Sequence, residues 1–214
     1  MSGLESLAPD SAPFFFYQRN AVTAHQARAL LKFLNTVPER NDGIADPSSE
    51  FVFVSHSTEE GDLGRAEAAA GDPIWLGADW GRGVAIPSEL LFLQESVGSI
   101  ARDADFEGPL GFTPNLSFTS AYVDRYLPGG GFFPHTDGDR YGAVIAGVSI
   151  GPGSANFTLW NGNPDHSSPE VEFTVKPNSI YFFCGPIRHS PWRHAIRRVT
   201  DLRYGITWRT VPES

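Results

Sequence analysis

The sequence is short of cysteine, of long apolar runs and, over its first half, of basic residues. Each shortage excludes something. A single cysteine, Cys184, cannot build an internal disulfide framework and fits a reducing compartment. No stretch approaches the roughly 20 consecutive apolar residues that a membrane-spanning helix needs. Residues 1–10 carry no basic residue and no apolar run, so no secretory signal is visible there. The expectation is a soluble, cytoplasmic protein with no membrane partner. Formal net charge is -9, and residues 1–117 hold 17 Asp and Glu against 7 Lys and Arg. A chain that gripped a polyanion by bulk electrostatics would be basic overall. The arginines gather late instead: six lie between Arg188 and Arg209, with Asp201 the one acid among them. A local arginine face is therefore still open to phosphate contact.

What is present points to a packed, turn-rich core. Hydrophobic residues make up 41% and aromatics 13%, with 22 Gly and 17 Pro to punctuate short elements. At 214 residues one domain is expected over 1–214. Residues 13–114 would supply N-terminal helices and a substrate lid, and 115–210 a β-rich core. Phe14–Tyr17 reads as an edge or entry strand. Thr23-x-x-Gln26 is a capping box, each side chain satisfying a free N–H at a helix start. Leu30, Leu31 and Leu34 follow on one face. Phe51–Val54 reads as a strand. Residues 55–83, with Trp75 and Trp80, read as an irregular lid. Ser88 caps a second helix whose stripe is Leu90, Leu93, Val97, Ile100, Ala101 and Ala104.

From Asn115 the period switches from helical to alternating. Phe118–Tyr126, Gly142–Ile150, Asn156–Trp160, Val171–Val175, Ser179–Phe183 and Tyr204–Trp208 are short β-rich runs separated mostly by turn residues. Six such strands predict a double-sheet jelly roll or a barrel. Helices first and strands later predict a mainly β, α+β arrangement with the helices packed on one sheet.

The chemistry gathers around His135-Thr136-Asp137, just after Gly129-Gly130-Gly131. An imidazole and a carboxylate two residues apart can reach one metal ion from one strand end. A second imidazole comes late in the chain, His194, with His189 its competitor. Two histidines and a carboxylate on one face of an octahedral iron leave three positions open, the arrangement of non-heme Fe(II) oxygenases. On this reading His194 comes from a strand on the other side of the mouth. Arg203 and Arg209 lie six apart on the last strand, so alternation puts them on one face. A buried arginine calls for an anion, and its planar fork suits a carboxylate.

The ordered set Tyr126-x-Pro128-Gly129, His135-Thr136-Asp137-Gly138-Asp139, Trp192-Arg193-His194-Ala195-Ile196 and Leu202-Arg203-Tyr204-Gly205-Ile206-Thr207-Trp208-Arg209 resembles the AlkB-like 2-oxoglutarate- and Fe(II)-dependent dioxygenases. The resemblance covers about residues 86–210. It implies a double-stranded β-helix, a form of jelly roll. It implies that His135, Asp137 and His194 hold iron, that Arg203 pairs with the distal carboxylate of 2-oxoglutarate, and that Tyr126 hydrogen-bonds to that cosubstrate. Arg209 would sit near the iron-bound end. Asp139 would reach a damaged base, with Trp75, or else Trp80, stacking on it.

The implied chemistry consumes O2 and converts 2-oxoglutarate to succinate while a C–H bond is hydroxylated. An N-methyl group treated this way leaves as formaldehyde, which is a demethylase reaction of the DNA-repair kind. Two positions depart from the pattern of the repair members: Asp124 and Gly205 stand where those members have Asn. The departures keep two further readings open. One is the same chemistry on a protein side chain or a small metabolite. The other is a catalytically silent jelly-roll binding module.

Overall fold

The computed structural model describes residues 5–6, 15–36, 51–56, 88–137, 141–164 and 168–210, with residues 5–6, 51–56, 119, 120 and 133 described by backbone alone. Trp75, Trp80, Asp139 and nearly all of the expected lid lie outside the described residues.

Among the described residues, two sheets face each other. The larger has seven strands in the order β1 (Glu5–Ser6), β2 (Phe15–Gln18), β9 (Ser179–Cys184), β6 (Val144–Ile150), β11 (Arg203–Thr210), β4 (Phe118–Tyr126) and β3 (Phe51–His56). The smaller has four, in the order β5 (Phe132–His135), β10 (Trp192–Arg197), β7 (Ala155–Asn161) and β8 (Val171–Val175). All pairings are antiparallel except β3 with β4. This is the mainly β, α+β jelly roll that the sequence pattern predicts.

Helix α1 (Ala24–Leu34) starts on the expected capping box. The Thr23 hydroxyl accepts from the Gln26 N–H at 3.3 Å, and the Gln26 side chain accepts from the Thr23 N–H at 3.0 Å. Helix α2 (Ser88–Arg102) buries Leu90, Leu93, Val97 and Ala101, the expected stripe, while Ile100 and Ala104 are half-buried. Both helices lay these faces on the outer side of the larger sheet, against Val123, Val148, Phe182, Ile206 and Trp208. A separate cluster fills the space between the sheets, joining Phe15, Tyr17, Ile145 and Phe183 to Phe157, Leu159 and Val175.

Strand β11 divides its residues between these two regions. Tyr204, Ile206 and Trp208 enter the helix-side core, whereas Arg203, Gly205, Thr207 and Arg209 line a pocket between the sheets. The two-residue side-chain period of a strand requires that split.

β5 and β10 are strands, as the site reading expected for His135 and His194, although the hydrophobic pattern did not reveal them, because each carries polar or charged groups at its centre or end. Two expectations need correction. β2 is not an edge, since β1 flanks it on one side and β9 on the other. His194 does not face His135 across the mouth: β10 pairs directly with β5, and the two histidines are register partners.

Candidate metal centre

His135 is the last residue of β5, and Asp137 follows two residues on. Because β10 runs antiparallel beside β5, His194 stands level with His135, and their ring centroids are 4.3 Å apart. His135, Asp137 and His194 each offer one ligand atom, and these atoms all lie within 4.8 Å of one another. Among the described residues this is the group of imidazoles and carboxylates that fits one ion.

Aromatic neighbours fix the imidazoles. His194 stacks on Phe157 with centroids 5.7 Å apart and an interplanar angle of 5°, and Phe183 lies 4.8 Å away on a tilt. His135 meets Phe132 edge-on at 4.5 Å. Burial, reinforced by the neighbouring His135, pushes the pKa of His194 down to about 3, so it is neutral at pH 7. Its Nε2 lies 3.3 Å from Asp137 Oδ2. With His194 neutral that approach is not an ion pair, and Asp137 Oδ2 and His194 Nδ1 are both buried without a hydrogen-bond partner. A buried carboxylate oxygen with no hydrogen-bond partner, beside a neutral imidazole, is costly unless a cation joins them. The donor set therefore fits a metal ion.

Asp137 is held ionised. Burial alone would raise its pKa, but the positive groups around it, Arg209 foremost, together outweigh burial and hold the carboxyl well below the usual carboxylate range. Arg209 Nη2 donates to Asp137 Oδ1 at 3.0 Å. The guanidinium lies between two phenol rings, 4.3 Å from the centroid of Tyr122 and 4.7 Å from that of Tyr141. Burial opposes its charge, and Tyr141, Asp137 and Tyr122 together more than offset that, so its pKa rises. Arg188 sits behind this group, only 1% exposed, and donates to the backbone carbonyls of Gly142 and Tyr141.

The same pocket holds a second arginine. Arg203 is 1% exposed, and its Nε donates to Ser149 Oγ at 3.0 Å. Its Nη1 and Nη2 are buried with no hydrogen-bond partner. Tyr126 lies under it, with Cζ 5.2 Å from the ring centroid, and burial raises the pKa of that phenol. Gly205 leaves the guanidinium its place, since a Cβ there would come within 2.9 Å of Arg203 Nη1. A buried, permanently charged fork with unsatisfied donors suits a carboxylate.

Of the residues expected from sequence, His135, Asp137, His194, Tyr126, Arg203 and Arg209 all line one pocket. Asp124 and Gly205 line it too. His189 is exposed and is not among the pocket residues. Sequence reading missed Tyr141, Ser149, Tyr181 and Arg188. Their only signal is contact in three dimensions, with no short motif around them.

No protein-family model matches the chain, and no curated protein matches it by sequence. Solved structures do resemble its fold. A prolyl hydroxylase from Trichoplax adhaerens, in complex with a peptide fragment of the hypoxia inducible factor oxygen degradation domain, matches with TM-score 0.52 at 13% identity, over 92% of this chain and 84% of that one. A Pseudomonas putida prolyl-4-hydroxylase matches with TM-score 0.48 at 14% identity over 92% of each chain. OsALKBH1 matches with TM-score 0.48 at 18% identity, over 60% of this chain and 68% of that one. The likeness to the Trichoplax protein shows the fold alone, a double-stranded β-helix.

Proposed function

We propose that the protein is an Fe(II)- and 2-oxoglutarate-dependent dioxygenase that oxidatively dealkylates an N-alkylated nucleobase in DNA or RNA. One observation carries the chemistry: a converging His135–Asp137–His194 donor set shares its pocket with the two bare Nη donors of Arg203. A site with a cation position at one end and a carboxylate position at the other fits a 2-oxo dicarboxylic acid.

His135, Asp137 and His194 would hold the metal from one side. When bound, the iron would supply oxidation of a C–H bond by O2, coupled to conversion of 2-oxoglutarate to succinate. Arg209 keeps Asp137 deprotonated and aims its Oδ2 at the ion position by holding Oδ1. Arg203 would receive the far carboxylate with two parallel hydrogen bonds. Tyr126 keeps its proton, because burial raises its pKa, and so can donate to the same cosubstrate. Phe132, Phe157 and Phe183 dry the wall beside the imidazoles and fix their planes.

The nucleobase substrate rests on the ordered motifs and on Asp139, two residues beyond the metal aspartate. The base would have to be flipped out or offered in a single strand. A specific feature favours a second reading, a protein side chain or small metabolite: Asp124 adds an acid to the pocket wall, and residues 1–117 are strongly acidic.

The test is incubation with Fe(II), 2-oxoglutarate, O2 and N-methylated DNA and RNA oligonucleotides. Succinate, formaldehyde and the demethylated base are the expected products. Succinate without demethylation of any oligonucleotide would move the assignment to the second reading. No iron-dependent succinate at all would leave a silent binding module.

A further inference from the structure

Tyr181 belongs to the same pocket, and nothing in its sequence neighbourhood announces it. It sits in the middle of β9, is 5% exposed, and lines the pocket with Arg203 and Tyr126. Its register partner on β6 is Gly147. A Cβ at Gly147 would collide with the Tyr181 ring at Cζ and with its hydroxyl oxygen. The phenol therefore lies flat across the glycine, along the sheet, instead of rising from it. Any other residue at 147 would lift the ring away. Ser149, two residues along β6 on the same face, holds the Nε of Arg203. β6 thus does two things at once: Ser149 turns the fork, and Gly147 lets a phenol lie beside it. Burial keeps that phenol protonated, and Arg203 is the cation acting on it. A protonated hydroxyl beside the bare Nη1 and Nη2 of Arg203 is a further donor for whatever anion those nitrogens receive.

We infer that Tyr181 is a cosubstrate-binding residue, its hydroxyl donating to the same distal carboxylate that Arg203 receives, in a position that Gly147 makes possible. This rests on the dioxygenase reading of the pocket. The ligand class is a short dicarboxylate, and the three donors are Nη1, Nη2 and the phenol. Tyr126 supports the fork from the other strand, so the carboxylate end is enclosed by two phenols and a guanidinium.

The experiment is equilibrium binding to the full chain loaded with Mn(II), measured calorimetrically without O2. The ligands are 2-oxoglutarate and 2-oxovalerate, the latter having the same carbon count and no distal carboxylate. Tyr181→Phe keeps the ring and removes only the hydroxyl. It should weaken 2-oxoglutarate binding about tenfold or more, the scale of a lost hydrogen bond to a charged group. It should leave the weaker 2-oxovalerate binding unchanged. Gly147→Ala, which keeps the hydroxyl but displaces it, should show the same selective loss and stands in for Tyr181→Phe if that chain does not fold. Tyr204→Phe, on the helix side of the sheet, should change neither ligand. If wild type binds 2-oxoglutarate and Tyr181→Phe binds it equally well, or loses both ligands in parallel, the role of Tyr181 is overturned while the dioxygenase reading stands. If wild type itself prefers 2-oxovalerate or binds neither, the dioxygenase reading falls, and the role of Tyr181 falls with it.

Discussion

At the scale of single residues, Asp137 and Arg209 are one unit. Each is about 5% exposed, and the charge of Arg209 is foremost among those that keep Asp137 ionised. Asp137→Ala should therefore do more than remove a metal ligand. It leaves Arg209 buried without its carboxylate, at a cost of about 3–5 kcal/mol, the usual result of removing one partner of a buried pair. Urea unfolding of the metal-free protein would show it, and a loss below about 1 kcal/mol would mean that Arg209 finds another partner. His194 gives a pH dependence of definite sign. Its folded pKa is depressed to about 3, so its contribution is fully present above the ordinary histidine value and is lost as pH falls through the window from there to about 3. Metal-free protein should lose up to about 2 kcal/mol between pH 6.5 and 5. His194→Phe should flatten that slope, and an unchanged slope would place the lost stability on other groups. The metal-ligand types and Arg203 were legible because they sit in compact motifs. Tyr181, Ser149, Tyr141 and Arg188 were not, because a strand residue's role depends on what lies level with it on the next strand. The pairing of Tyr181 with Gly147 spans 34 positions of chain.

At the scale of elements, the hydrophobic pattern was readable wherever burial alone decides the residue. β4 and β8 lie where alternation placed them, and α1 begins on its capping box. Thr23→Ala should lower stability by about 1 kcal/mol, measured by urea unfolding, and no change would mean that the cap does not hold the helix start. The pattern failed at β5 and β10, the two strands that carry the imidazoles. Pro134 and His135 end one, and Trp192, Arg193 and His194 open the other, so neither reads as an apolar run. Chemistry has replaced the signal that marks a strand. β11 kept both: its helix-side residues preserve the alternation while its pocket side carries Arg203, Gly205, Thr207 and Arg209. The two faces should separate on mutation. Trp208→Ala should cost about 3–5 kcal/mol of stability, the range for emptying a large buried aromatic, with 2-oxoglutarate affinity retained in the folded fraction. Arg203→Ala should do the reverse, raising the 2-oxoglutarate requirement with a smaller effect on unfolding.

At the scale of the molecule, two sheets enclose a pocket whose charges are few and placed. The helices stay on the outside of one sheet and leave the space between the sheets to the site. Net charge of -9 says little about such a site, because the arginines that matter are buried in it. Binding an ion at the strand ends should tie β5 to β10 and stabilise the whole fold by mass action, about 2.7 kcal/mol at a metal concentration 100 times Kd. Calorimetric titration of anaerobic Fe(II) into the full chain puts the central claim to the most direct test, with wild type compared to His194→Ala and His189→Ala. The account predicts one ion per chain for wild type and for His189→Ala, and loss of that binding for His194→Ala. Undiminished binding in His194→Ala, or binding lost in His189→Ala instead, would contradict it.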